Sequence, residues 1–134
     1  MRLPDSASVR RWVLVWGPPI GLMVAIFTVS SVPHLDTSES GVSDKSLHAW
    51  TYGLLGLLLL RALARARWAA MTLRTAFGAW LVAVLYGVFD ELHQGLVPGR
   101  EPSIADWLAD ARGAAVGVMA GLAFAIVWRR SRGL

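Results

Sequence analysis

Apolar residues run through four long stretches of this chain, and the polar residues between them are few and sorted by sign. From residue 12 to residue 33 there is no Asp, Glu, Lys or Arg, and a helix of that length can cross a hydrocarbon core that takes about 20 residues. Three further stretches, 46–60, 75–89 and 113–128, run 15, 15 and 16 residues without such a charge. At about 1.5 Å per residue each covers roughly 23 Å of a ~30 Å core, so each needs about one more turn. A signal peptide is the rival reading of the first stretch, since Arg10 and Arg11 precede it. That stretch is long for a signal core, however, and no A-x-A cleavage site follows it. The pattern predicts an all-α integral membrane protein, a four-transmembrane-helix bundle over 12–128. Residues 1–11 form a frayed N-terminal arm and 129–134 a basic tail.

Composition agrees with the pattern. Hydrophobic residues make up 55% of the 134 positions and charged ones 16%, against roughly 45–50% and 25% in soluble domains; the mean hydropathy is +0.51. The absence of cysteine excludes disulfide scaffolds, cysteine-zinc sites and thiol catalysis. The net charge is +4, but the basic residues flank apolar runs instead of covering a polar surface, which sets nucleic acid aside.

The placement of charge predicts orientation, because Lys and Arg near span ends accumulate on the cytoplasmic side. Arg2, Arg10 and Arg11 precede span 1, Arg61, Arg65, Arg67 and Arg74 separate spans 2 and 3, and Arg129, Arg130 and Arg132 follow span 4. With these inside, both termini are cytoplasmic in a multi-pass protein of the cell membrane. Only Lys45 and Arg100 fall in the outer loops, and every carboxylate except Asp5 lies toward the outer side. The missing turns then have an identity. Asp44 and Lys45 complete span 2, Asp90, Glu91 and His93 complete span 3, and Asp106 and Asp110 complete span 4.

These turns carry the candidate chemistry, since ionisable groups within spans are functional candidates. Asp44 suits a helix start, and His48 and Tyr52 follow it on one face at intervals of four. Asp90 and Glu91 end span 3, where acids oppose the helix dipole. His93 and Gln94 share the face of Asp90, while Glu91 points elsewhere. Ser103 and Asp106 fit a capping pattern ahead of span 4, and Asp110 repeats the acid one turn on. Arg112 either snorkels or pairs with an acid of span 3. Gly113, Gly117 and Gly121 make a ridge for close helix approach, with Leu122 beside it expected to face lipid. His48, His93 and the carboxylates offer a metal-ligand set, but their spacing matches no signature such as H-E-x-x-H, so no metal or other cofactor is expected. Arg100 with Lys45 can instead clamp a phosphate or carboxylate.

Asp44-Lys45 with His48 and Tyr52, then Asp90-Glu91-x-His93-Gln94 with Val97-Pro98-Gly99-Arg100, then Ser103, Asp106, Gly113 and Gly117 resemble the VanZ-like family, named for a teicoplanin-resistance membrane protein. Asp110 is a departure, standing where that family usually has Asn. The resemblance implies a small bacterial membrane protein of the cell envelope connected with glycopeptide tolerance. Residues and resemblance together give an outward-facing polar pocket, with a lipid-linked wall precursor or a glycopeptide antibiotic as the expected partner within the bilayer. Lys45 and Arg100 would hold an anion, with Asp44, Gln94, Ser103, Asp106 and Asp110 lining the site. Asp90, Glu91, His48 and His93 form the candidate catalytic group. The rival reading is non-enzymatic: the same charges form a buried network fixing helix register.

Overall fold

The computed structural model describes residues 5–33 and 44–133, and within them the chain is helical without strands. Four helices, α1 (Ser6–Ser30), α2 (Asp44–Leu63), α3 (Leu73–Gln94) and α4 (Ile104–Ser131), are each long and apolar enough to cross a membrane. The expected extra turns are present: α2 starts at Asp44, α3 continues to Gln94 and α4 opens just after Ser103. The polar loop expected between spans 1 and 2 lies mostly outside the described residues. Large apolar side chains such as Trp12, Trp50, Leu85 and Val116 stand exposed on all four helices, as a surface solvated by lipid would require.

Two boundaries differ from the hydropathy pattern. Helix α1 begins at Ser6, inside the stretch expected to fray, because Asp5 caps it by accepting the Ser8 backbone N–H at 3.0 Å. Hydrogen bonds from the Ser8 side chain and backbone hold the Asp5 carboxyl below its ordinary value. Helix α4 likewise runs through Arg129 and Arg130, whose cations suit its C-terminal last turn.

Helix α1 also contains Pro18 and Pro19. Proline has no N–H to give the carbonyl four residues back, so the Leu14 carbonyl loses its helical donor. Arg61 of α2 supplies one, donating from a guanidinium nitrogen to Leu14 O at 3.2 Å. Arg10, Arg11, Arg61, Arg65 and Arg67 line one depression, which gathers the basic residues at one end of the bundle. Trp68, in a short 3-10 turn between α2 and α3, packs on Phe124 near the C-terminus of α4 at that same end.

The closest packing joins α2 to α4. A methyl group added to Gly113 would strike the backbone of Ala49, and one added to Gly117 would strike the backbone of Gly53. From the other side, a methyl on Gly56 would come within 2.6 Å of the Ala114 carbonyl oxygen. The glycine ridge expected on α4 therefore meets a second small-residue row on α2, and the two backbones touch. Between membrane helices there is little hydrophobic drive, so this proximity supplies the dispersion contact that holds them. Leu122, expected to face lipid, is instead buried in the core with Leu55, Leu59, Leu60 and Val118. It follows Gly121 by one position, and the close approach of α2 draws that side of α4 inward.

Gly117→Leu is expected to destabilise the protein by at least the 1–3 kcal/mol typical of overpacking, roughly. Val116→Ala, at a position 70% exposed, should leave the thermal midpoint in detergent nearly unchanged. Equal midpoints for the two variants would remove the packing role of the ridge.

Candidate functional site

At the end of the bundle opposite the arginines, the acidic turns of α2, α3 and α4 converge. His48 of α2 bonds Asp110 of α4, with Nδ1 to Oδ1 at 2.9 Å. Asp110 is fully buried, while the His48 side chain keeps 14% of its surface exposed. Asp110 owes its seat to Gly87 on α3: a methyl there would lie 3.3 Å from Oδ2 and 3.4 Å from the ring of Tyr52. Tyr52 is buried at this junction, and its hydroxyl has no hydrogen-bond partner among the described residues.

Glu91 points away from Asp90, as its place on the helix requires, and reaches the start of α4. Its Oε2 accepts the Ser103 N–H at 2.6 Å. Ser103 in turn caps α4, its hydroxyl accepting the Asp106 N–H at 3.3 Å. In a reciprocal capping box the acid three residues on would take the Ser103 N–H. Here a carboxylate from α3 takes it, which joins two helices while satisfying the cap. Asp106 remains half-buried in the first turn of α4.

Asp90 and Gln94 stay together on the third face, with Gln94 Nε2 donating to Asp90 Oδ2 at 3.1 Å. His93, expected beside them, turns instead to α1. It lies 2.9 Å from the Ser31 hydroxyl and stacks on Phe27 with centroids 4.2 Å apart. The two histidines expected in one site thus serve different contacts. Arg112 is exposed and pairs with no acid among the described residues.

Pro98 and Gly99 turn the loop between α3 and α4. Gly99 has φ of 82° and the Arg100 N–H donates to Val97 O at 3.1 Å, the arrangement of a type II turn with Gly at its left-handed position. This turn delivers Arg100 to the end of α1, where its guanidinium donates to Val32 O at 3.2 Å and Val29 O at 3.3 Å. Val29 O also accepts the Val32 N–H at 3.1 Å, so Arg100 adds a second donor to the turn that closes α1. A cavity of about 230 Å³ opens between α1, α2 and α3. Ile26 and Leu47 contribute to its apolar walls; His48, Tyr52, Asp90 and Gln94 line its polar side, and Arg100 also borders it. Lys45 is exposed at the start of α2 and does not line the cavity. Asp44 is the first residue of α2.

A family model described as VanZ/LLP1 matches residues 14–127. The chain belongs to the VanZ/LLP1 family. No curated protein and no solved structure matches it. Within this member the converging motifs are not one cluster but two adjoining ones. His48, Glu91 and Asp110 present ligand atoms within 4.8 Å of one another, and Asp90 with Gln94 faces the cavity beside them. Gly87 and the α2 residues Ala49, Gly53 and Gly56 were not among the expected site residues. The small-residue spacing along α2, opposite the ridge of α4, is the signal that would have found its part.

Glu91→Ala should leave the Ser103 N–H without its acceptor, a loss of about 1–3 kcal/mol for a buried donor. Hydrogen exchange at residues 103–106 is then expected to accelerate roughly ten- to a hundredfold. Unchanged exchange would show that the Glu91 bond does not hold the start of α4.

Proposed function

We propose that this VanZ/LLP1 protein binds an anionic amphiphile of the cell envelope, a lipid-linked wall precursor being the fitting class, in the cavity between α1, α2 and α3. The observation that carries the reading is Asp90. It lines the cavity, is 1% exposed, and its Oδ1 has no hydrogen-bond partner among the described residues. A buried acceptor left unsatisfied is costly, and a hydroxyl or amide of a ligand entering the cavity would satisfy it. Arg100 provides the anion contact: two of its N–H groups are used on α1 carbonyls, and a guanidinium carries five. The apolar wall suits the hydrocarbon portion. His48, oriented by Asp110, is placed to exchange a proton with a group bound in the cavity. His93 supports the α1 wall through Phe27 and Ser31.

The orientation that goes with this reading puts both termini in the cytoplasm and the cavity at the outer leaflet, following the positive-inside rule. The chain has no cysteine, so single cysteines can report it. A cysteine at position 101 is expected to react with an impermeant reagent from outside, and one at position 68 should not. The reverse pattern would overturn the placement.

The non-enzymatic rival is favoured by the two cross-helix bonds, His48 to Asp110 and Glu91 to Ser103, which tie α2 and α3 to α4. The two readings predict different behaviour of Asp90→Asn and Arg100→Ala. Native mass spectrometry of the detergent-solubilised chain titrated with a polyprenyl diphosphate should show binding that both variants lose at least tenfold. Their levels in the membrane should stay near normal, and teicoplanin tolerance conferred on a sensitive bacterial host should fall with binding. Retained binding at normal levels rejects the cavity reading, whereas a parallel fall in protein level supports the structural network.

A further inference from the structure

The acids beside the cavity are short of positive charge. Asp110, Asp90 and Glu91 are 0%, 1% and 7% exposed, and the only ion pair among the described residues is His48 with Asp110. Neither outer cation is placed to neutralise them: Arg100 donates to the carbonyls of α1, and Lys45 is exposed. Oδ2 of Asp110 and Oε1 of Glu91 are buried with no hydrogen-bond partner among the described residues. Carboxylates in a membrane interior pair, bind cations or cost several kcal/mol, in rough terms.

We propose that His48, Glu91 and Asp110 form a binding site for one divalent metal ion of the Zn²⁺ or Mn²⁺ class. Each residue offers one ligand atom, and these atoms lie within 4.8 Å of one another. Ligands about 2.1 Å from a tetrahedral ion lie roughly 3.4 Å apart, so the widest pair has to close by up to about 1.4 Å. The imidazole nitrogen and the Asp110 oxygen are already 2.9 Å apart. An ion would take the place of the proton that joins them. One imidazole with two carboxylates is a borderline-hard donor set, which suits Zn²⁺ and Mn²⁺ and disfavours thiophilic copper(I). The ligands come from three helices, so the ion would tie α2, α3 and α4 at one point. His48 also lines the cavity, so the ion would sit beside it.

An unpaired buried oxygen on each of the two acids distinguishes this cluster, among the described residues, from the acidic groups of an ordinary surface. A dication there offsets both carboxylates and lowers the negative charge beside the cavity. The site does not rest on the amphiphile reading, and its test contains no added envelope lipid. The full chain, purified in detergent and stripped with EDTA, is titrated with ZnCl₂ by calorimetry and with MnCl₂ by loss of the free-ion electron paramagnetic resonance signal. One saturable ion per chain is expected, with a rise in the thermal midpoint. Asp110→Asn and Glu91→Gln are close in shape to the native residues and should each weaken binding at least tenfold. Glu101→Gln, an exposed acid at the same end, should bind as the native chain does. Size-exclusion profiles of the variants without metal separate lost binding from lost folding, and the native chain alone decides whether a site exists. If the stripped native chain takes up neither ion, or if Asp110→Asn and Glu91→Gln bind as tightly as it does, the metal site is wrong.

Discussion

Everything at the acidic end depends on how closely α2 and α4 approach. Where a methyl on Gly117 would strike Gly53, a backbone hydrogen instead faces the carbonyl across the interface, close enough for a weak Cα–H···O contact as well as dispersion. The same approach at Gly113 and Ala49 lies one residue from His48 and three from Asp110. The 2.9 Å separation of that pair therefore follows from helix packing. With even alanine in place of Gly113, α2 would have to move away, and the imidazole would move with it.

The third helix enters the site by a related device at smaller scale. Gly87 leaves room on α3 for Oδ2 of Asp110 and for the ring of Tyr52, so a carboxylate sits where a side chain would ordinarily fill the junction. Glu91, one turn further on, captures the first free N–H of α4. The acids at the end of α3 oppose its own dipole, but Glu91 lies at the positive end of another helix, and that placement offsets part of the cost.

Hydropathy and charge made the fold legible. Four apolar stretches, each too short without its acidic turn, yielded four helices that contain those turns, because hydrocarbon thickness imposes a length on any spanning helix. The site was legible as a list of residue types: His48, Asp90, Glu91, Gln94, Ser103 and Asp110 all take part in the convergence. Their grouping was harder to read. Intervals along one helix separate Glu91 from Asp90, but they do not say which neighbour lies on each face. His93 lies within about 60° of Asp90 in helical phase, yet it finds Phe27 and Ser31 on α1. Leu122 was misplaced for the same reason, since its burial depends on the partner row along α2 and not on α4 alone.

Helix α1 is attached differently from the rest. It has few buried side chains, and no glycine of α1 is crowded by a neighbour's backbone. Side chains from other helices reach its carbonyls instead: Arg61 donates to Leu14 O, Tyr86 to Met23 O at 2.6 Å, and Arg100 to Val29 O and Val32 O. Each such bond is strong where water is scarce, but it is one point of contact on a flexible side chain. The seam between α2 and α4 is a row of touching backbones. Leu22, Ala25, Ile26 and Val29 of α1 form a wall of the cavity, so the interface of touching backbones carries the buried acids while the point-tethered helix walls the cavity.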